Sequence, residues 1–353
     1  MAVVGLGYWG PNLARNLQDL PEAELVWMCD LRPEVLEPYQ QRYPMAKTTT
    51  ELSQVLEDRS VEAIVIATPV STHYSLVEMA LRAGKHVFVE KPLAGSSAEG
   101  VRLIRLASEL GLVLMPGHTF IYSPPVVKVR DLIASGELGE IYFVSMSRVN
   151  LGIHQADVSV AWDLGPHDFS ILCYWLGEIP TRVLATSRCC IIPSIPDVAF
   201  VNLNFQSGVV AHCELSWLAP TKLRRTVVVG SRKMVVYDDT STDQVRISDS
   251  GIDLPDPESF GEHQLSYRTG DVVVPYIGTT EPLALELKDF CSAVRTGATP
   301  RSSALMGLRI VEIVEAVERS LALDGEPSAV ELANLDDLVG TLGDHPAFSS
   351  RRC

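Results

Sequence analysis

Lys91, Asp163 and His167 have side chains whose types and spacing suit proton transfer at a hydroxyl-bearing carbon. Lys91 stands in Glu90-Lys91-Pro92, at the end of a predicted strand, where its charge can stabilise a developing alkoxide. Asp163 and His167 are four residues apart. On a helix they would share one face, and the carboxylate would orient the imidazole for general acid–base work. Two alternatives stay open on these residues alone: a lysine in a surface turn, and an N-cap aspartate beside a structural histidine.

The beginning of the chain carries the glycine pattern of a dinucleotide-binding loop. Gly5, Gly7 and Gly10 follow the apolar run Ala2–Val4, and Asp30 stands 20 residues after the last of these glycines. The first glycine allows a tight turn, the second a close approach of the pyrophosphate, and the third close packing of the following helix. The pyrophosphate would lie at the helix N-terminus. The pattern therefore predicts a Rossmann cofactor site.

The choice of cofactor depends on Asp30. A carboxylate there accepts hydrogen bonds from the ribose hydroxyls and repels a 2′-phosphate, which favours NAD. The adjacent Arg32 leaves NADP open as the less favoured cofactor. Thr68-Pro69 ends another predicted strand, and His73 opens the next helix, where a capping or surface role is the alternative. The predicted cofactor contacts are Gly5, Leu6, Gly7, Tyr8, Trp9, Gly10, Asp30, Leu31, Arg32, Thr68, Pro69, His73, Glu90, Lys91 and Pro92.

Apolar strands alternate with helical segments through the first third of the chain, which predicts a parallel sheet covered on both faces. The strand candidates are Ala2–Val4, Glu24–Cys29, Ala63–Ala67, His86–Glu90 and Val113–Met115. From Ile141 to Asp238 the pattern changes to long β-rich runs, interrupted by a helix at Val160–Leu176, which predicts an antiparallel sheet.

The predicted fold class is an α/β Rossmann domain plus an α+β domain with a large, mainly antiparallel sheet. We expect the Rossmann domain at residues 1–120, the second domain at 121–325 and a polar tail at 326–353. Two predicted helices near the C-terminus, Pro282–Thr296 and Ser303–Leu323, could pack back on the Rossmann domain.

The composition narrows the function classes. The 353-residue chain has a formal net charge of −15, which disfavours nucleic acid and anionic membranes as partners. Its seven cysteines include no C-x-x-C spacing, so we predict no metal site and expect reduced thiols in a cytoplasmic protein. We find no signal peptide and no membrane-spanning run. The first predicted strand is short, so an incomplete or late chain start stays open.

Four segments occur in an order that resembles a known enzyme family. They are Gly5–Gly10, Thr68–His73, the run from Ala83 to Pro92, and Asp163 with His167-Asp168. On them the chain is identified as a member of the glucose-fructose oxidoreductase / inositol dehydrogenase / MocA (Gfo/Idh/MocA) family, over roughly residues 1–325. The segments Gly117–Tyr122 and Trp162–Asp168 resemble a subgroup that acts on nucleotide sugars, amino sugars or cyclitols.

The resemblance implies NAD(P)-dependent oxidation or reduction of a carbinol carbon. It implies Lys91, Asp163 and His167 as the catalytic group, with His167 as the base. It also implies an open-faced sheet in the second domain, through which a homodimer or homotetramer would form. The substrate is expected to be a small sugar-like molecule. The predicted substrate contacts are Lys91, Tyr122, Arg148, His154, Gln155, Asp157, Asp163 and His167.

Three other functions stay open beside a sugar or cyclitol dehydrogenase. They are a ketoreductase of an antibiotic or deoxysugar pathway, an NAD-dependent glycosidase, and a dinucleotide-sensing regulator without chemistry. A pure sensor needs none of Lys91, Asp163 and His167, so their presence argues against the regulator.

Overall fold

The chain separates into two compact units. The computed structural model describes residues 1–152, 154, 158–253 and 266–335. The first unit contains Met1–Tyr122, Thr280–Glu315 and the described residues from Glu331 onward; the second contains Ser123–Thr279 and Ala316–Val330. The first unit therefore joins the N-terminal third of the chain to a segment close to its C-terminus.

Six parallel strands form the sheet of the first unit. They are β1 (Ala2–Val4), β2 (Trp27–Cys29), β3 (Lys47–Thr49), β4 (Ala63–Ile66), β5 (His86–Glu90) and β6 (Leu114–Gly117). Their order is β3-β2-β1-β4-β5-β6. β1, β2 and β4 are buried throughout, as expected for a sheet covered on both faces. The order changes direction between β1 and β4, which is where doubly wound sheets bind ligands.

The three helices whose ranges the sequence predicts, Val160–Leu176, Pro282–Thr296 and Ser303–Leu323, begin and end at or next to those residues. In chain order the described α-helices are α1 (Gly10–Asp19), α2 (Pro33–Arg42), α3 (Leu52–Glu57), α4 (His73–Arg82), α5 (Ser97–Leu110), α6 (Pro124–Ala134), α7 (Val160–Leu176), α8 (Pro282–Thr296) and α9 (Ala304–Ala322). Local chemistry sets several of the boundaries. Ser96 caps α5 by accepting the Glu99 N–H, and Gly111 ends it with a φ of 66°. In the first unit α8 packs its Phe290 edge-on against Phe88 of β5, with ring centroids 5.8 Å apart.

The second unit is built on a nine-stranded sheet. Its strands are β7 (Ile141–Leu151), β8 (Arg182–Arg188), β9 (Val198–Asn204), β10 (Val210–Ser216), β11 (Leu218–Gly230), β12 (Met234–Asp238), β13 (Val245–Asp253), β14 (Ser266–Val273) and β15 (Ser328–Ala329). The order is β14-β13-β12-β11-β7-β10-β9-β8-β15. Neighbours are antiparallel except β7 and β10, which are parallel, so the sheet is mainly antiparallel.

The two faces of this sheet differ in burial. On β10, Ala211, Cys213 and Leu215 are buried on the face against which α7 packs. The opposite face exposes large side chains such as Phe143 and Phe200. Gln206-Ser207-Gly208 lie in the turn of a hairpin, because β9 pairs antiparallel with β10 and Gly208 has a φ of 92°.

The structure adds strands that the apolar pattern did not predict. These are β3, β13, β14 and β15. β3, β14 and β15 lie at sheet edges, where one side of the backbone ladder is unpaired and side chains need not be apolar, whereas β13 lies inside the second sheet. β15 stands in the segment that we expected to be a polar tail. It pairs with β8, so this part of the segment belongs to the second sheet. Within the described ranges, no helix is both long and apolar enough to cross a membrane.

Candidate active site

The glycine loop is tight on one side and open on the other. A Cβ on Gly10 would lie 2.0 Å from the Gly5 carbonyl oxygen, and a Cβ on Gly5 would lie 2.7 Å from the Ala67 carbonyl oxygen. Gly5 also has a φ of 90°, which side chains disfavour. A Cβ on Gly7, by contrast, would have nothing within 4 Å. The backbone is therefore open at the glycine that a pyrophosphate must approach, so the loop fits a dinucleotide.

Asp30 anchors this loop from the end of β2. Its Oδ2 accepts the Leu6 backbone N–H at 2.8 Å, and its Oδ1 accepts the backbone N–H of Arg32 at 3.0 Å and the Arg32 Nε–H at 3.2 Å. Burial opposes the negative charge, but these hydrogen bonds outweigh it and lower the pKa of Asp30 below its usual range. The carboxylate is therefore charged at neutral pH, which recognition of ribose hydroxyls and rejection of a 2′-phosphate both require.

His73 connects the segments that follow β4 and β5 by hydrogen bonds. Its Nδ1 lies 2.8 Å from the Pro92 carbonyl oxygen and its Nε2 lies 2.9 Å from the Thr68 carbonyl oxygen. Burial lowers the pKa of His73, and a neutral ring carries one N–H, so it donates to one of the two carbonyls at a time. The surface alternative for His73 is wrong, because the residue is 0% exposed. A direct contact of His73 with the cofactor stays a prediction.

The Glu-Lys-Pro turn follows β5 at the same edge of the sheet. The Lys91–Pro92 peptide bond is cis. Glu90 Oε2 accepts the Lys91 backbone N–H at 3.3 Å, and the indole N–H of Trp9 donates to the Glu90 carboxyl. The predicted cofactor contacts at the ends of β1, β2, β4 and β5 are thus linked to one another by hydrogen bonds or close contacts. Tyr8 and Leu31 are the most exposed of them, at 88% and 87%.

Asp163 and His167 lie on α7 in the second unit. Ser159 is the N-cap of α7 and accepts the Trp162 backbone N–H at 3.3 Å, so the N-cap alternative for Asp163 is wrong. Asp163 is in the first turn, and its Oδ2 accepts the indole N–H of Trp217 at 3.1 Å. Trp217 follows β10 and is 1% exposed. The alternation of the strand in the sequence shows that Trp217 faces the core. Its hydrogen bond to Asp163, 54 positions earlier, is seen only in the structure.

Two of the predicted substrate contacts, Arg148 and Tyr122, bond to other residues of the unit in which each lies. Arg148 pairs through Nε with Asp168 Oδ1 at 2.6 Å, and the two side chains are 6% and 2% exposed. The Tyr122 hydroxyl donates to Asp289 at 2.7 Å and accepts the Ser302 backbone N–H at 3.0 Å. These bonds give both residues a role in holding the fold, and a substrate role for either stays a prediction.

A third candidate, His154, lies near Trp217, the residue that hydrogen-bonds Asp163. Its ring centroid is 5.3 Å from that of Trp217, and its Nε2 is 4.0 Å from Asp197 Oδ2. The other two candidates, Gln155 and Asp157, lie outside the described residues. In the described part of the chain, no group of three or more His, Cys, Asp or Glu side chains is arranged to hold a metal ion.

Comparison with known protein families agrees with this geometry. The oxidoreductase family with an NAD-binding Rossmann fold matches residues 1–118, and the GFO/IDH/MocA C-terminal domain matches residues 126–236. The chain therefore belongs to the Gfo/Idh/MocA family of oxidoreductases. The predicted family, fold class and NAD cofactor are confirmed.

Individual relatives include both dehydrogenases and a reductase. The chain is 29% identical to a scyllo-inositol 2-dehydrogenase (NAD(+)) of Bacillus subtilis (strain 168), over 85% of this chain and 87% of the relative. A dTDP-3,4-didehydro-2,6-dideoxy-alpha-D-glucose 3-reductase of Streptomyces violaceoruber is 44% identical over 93 residues, 26% of this chain and 27% of the reductase. The crystal structure of GenD2 from gentamicin A biosynthesis in complex with NAD has a TM-score of 0.79 and 26% identity, covering 94% of this chain and 96% of GenD2.

Gly7 and Gly10 give opposite predictions when each is changed to alanine. Gly7→Ala should leave the melting temperature nearly unchanged and weaken NAD binding by at least about tenfold, because the methyl group meets no protein atom but occupies the space of the pyrophosphate. Gly10→Ala should lower the melting temperature by several degrees, because its methyl group meets the Gly5 carbonyl. Thermal melts and NAD titration calorimetry measure both effects. Wild-type NAD affinity in folded Gly7→Ala would contradict the placement of the pyrophosphate.

Proposed function

We propose that this protein uses NAD to oxidise a ring hydroxyl of a cyclitol or sugar, or to reduce the corresponding ketone. The proposal rests on two observations. Lys91 lies at the edge of the first sheet where the cofactor is expected, and on α7 of the second unit His167 follows, by one helical turn, Asp163, which Trp217 holds by a hydrogen bond. Family membership supports joining these three residues in one reaction, because Lys91, Asp163 and His167 occupy the positions of the family's catalytic motifs.

Each catalytic residue has a separate task in this proposal. NAD, when bound, takes up or supplies the hydride at the carbinol carbon. Lys91 hydrogen-bonds the substrate oxygen and stabilises the negative charge that develops there. His167 takes the hydroxyl proton as the hydride leaves, and Asp163 holds the imidazole in the orientation for that transfer. Trp217 holds Asp163 and is a positioning residue.

The relatives favour cyclitols and sugars as the substrate class. The inositol dehydrogenase aligns over most of the chain, which supports oxidation of a ring hydroxyl. The reductase of a dideoxysugar nucleotide aligns over a short segment at higher identity, which supports reduction of a keto sugar as the second candidate. Incubating the protein and NAD with inositols, nucleotide sugars and amino sugars, while following NADH absorbance, tests the proposal. Release of an aglycone without net NADH would instead indicate the glycosidase.

We also propose that the open face of the second sheet joins subunits into a homodimer or homotetramer. Phe143 and Phe200 on this face are 45% and 42% exposed, and a second copy of the same sheet would cover them. A cytoplasmic location stays a prediction, supported by the free thiols of the cysteines in the described residues.

Lys91→Ala should lower turnover by at least about a hundredfold while leaving NAD affinity largely unchanged, because the charge that stabilises the alkoxide is lost. The measurement is steady-state turnover on the best substrate of the panel, together with NAD titration calorimetry. Lys288→Ala is the matched control, since Lys288 belongs to the same unit and is 60% exposed. Near wild-type turnover in Lys91→Ala would show that the assigned role of Lys91 is wrong.

Trp217→Phe should lower turnover by about threefold to tenfold, because the ring remains but the N–H that holds Asp163 is removed. Trp175→Phe is the matched control: it removes a buried indole N–H that donates to the Val126 carbonyl at 2.8 Å, near the other end of α7 from Asp163. Both variants should lose about 1 kcal/mol of stability. Equal turnover in the two variants would contradict the positioning role of Trp217.

A further inference from the structure

Two carboxyl groups of the first unit lie near the Glu-Lys-Pro turn: Glu286 is buried, and Glu90 is half-buried with its Oε1 shielded from solvent. Glu286 on α8 is 0% exposed, and its Oε2 accepts the Thr119 hydroxyl at 2.7 Å. The His118 backbone N–H donates to the Pro116 carbonyl at 3.1 Å. Glu90 approaches from β5 over Gly117, where a Cβ would lie only 3.2 Å from Glu90 Oε2. Both carboxyl groups therefore flank one short segment, residues 117–119.

Glu90, His118 and Glu286 form a cluster, and some of its buried polar atoms make no hydrogen bond to any described residue. Oε1 of Glu90, Oε1 of Glu286 and both ring nitrogens of His118 are buried without a hydrogen-bond partner among the described residues. Buried polar atoms of this kind need internal water or a proton-dependent partner. None of them takes part in the reaction steps assigned to Lys91, Asp163 and His167.

Burial decides the charges of the cluster. It raises the pKa of Glu286 well above its usual range, and the nearby Glu90 and Asp289 carboxyls raise it further. Burial also raises the pKa of Glu90 to about 7, although the charge of Lys91 and the N–H groups of Lys91 and Trp9 oppose the rise. Burial therefore favours the neutral form of Glu286 at pH 7, and Glu90 titrates near neutral pH.

The remaining titratable group of the cluster is His118. Burial, together with the charge of Lys91, lowers the pKa of His118 to about 3, so its ring is neutral in the working range. Lys91 is thus the cation that faces Glu90, and Glu286 and Asp289 are the acidic groups on the side of α8. The charge of Lys91 favours the ionised form of Glu90, and a further positive charge bound beside Lys91 would favour it more.

We propose that Glu90 and Glu286 form a carboxyl pair with one exchangeable proton, which Glu90 releases when a positive charge binds beside Lys91. The proposal rests on NAD as the cofactor of the proposed function. NAD⁺ brings a positively charged nicotinamide ring, whereas the ring of NADH is uncharged. Binding of NAD⁺ breaks the O–H bond of protonated Glu90 and sends the proton to solvent, and binding of NADH leaves it in place. Glu90 is therefore a positioning residue that couples its own proton to the redox state of the cofactor.

Infrared spectroscopy of the full chain tests the carboxyl pair without any substrate. Between pH 5 and pH 9, the carbonyl absorption of protonated carboxyl groups should contain a component that disappears near pH 7 and one that persists above it. Glu90→Gln should remove the first component, and Glu286→Gln should remove the second and leave the first nearly unchanged. Glu137→Gln is the control, since Glu137 is a 41% exposed carboxyl paired with Lys233 in the second unit. Absence of both components at pH 7 would overturn the proposal.

Calorimetry in two buffers of different ionisation enthalpy tests the coupling to the cofactor. At pH 7, NAD⁺ binding to the wild type should release a measurable fraction of a proton, and NADH binding should release almost none. Glu90→Gln should bind NAD⁺ without proton release, while Glu286→Gln should retain it. Equal proton release in wild type and Glu90→Gln would overturn the proposal, and so would its loss in Glu286→Gln alone. Turnover enters neither measurement, so a failed substrate screen and a failed carboxyl pair are distinguishable.

Discussion

The hydrogen bond from the Leu6 backbone N–H to the buried Asp30 carboxylate is the contact on which the cofactor edge depends. A hydrogen bond to a charged group contributes about 1.5–3 kcal/mol, and here it holds a loop that must be packed against itself at Gly5 and Gly10 yet open at Gly7. In the predicted NAD site the same carboxylate would meet the ribose hydroxyls with its negative charge. One side chain therefore holds the shape of the loop and is the predicted determinant of its ligand.

Other side chains hold the remaining strand ends of the first unit in place. His73 joins the loop after β4 to the turn after β5, and the indole of Trp9 joins the glycine loop to Glu90. In the second unit the indole of Trp217 plays a similar part for Asp163. In each case one side chain holds another residue of the predicted site in place by a hydrogen bond or close contact.

The sequence predicted what short-range pattern determines and missed what depends on tertiary contacts. The glycine turn between β1 and α1, and the bounds of α7 and α8, follow from local spacing, and the structure has them at the predicted residues. The parallel pairing of β7 with β10 could not be predicted, because the alternation of apolar residues along a strand does not show which strand it pairs with. Burial of Arg148 with Asp168, and the approach of Glu286 to Glu90, likewise depend on residues brought together from distant parts of the chain.

The central claim is that a charged Asp30 makes the first unit a site for NAD. Calorimetric dissociation constants of NAD and NADP, measured on the wild-type protein at the same ionic strength, test it most directly. Binding of NAD at least about tenfold tighter than NADP, a difference of about 1.4 kcal/mol, is the predicted result. Equal or tighter binding of NADP would contradict the claim, because it would mean that the 57% exposed Arg32, and not Asp30, sets the charge that the ribose meets.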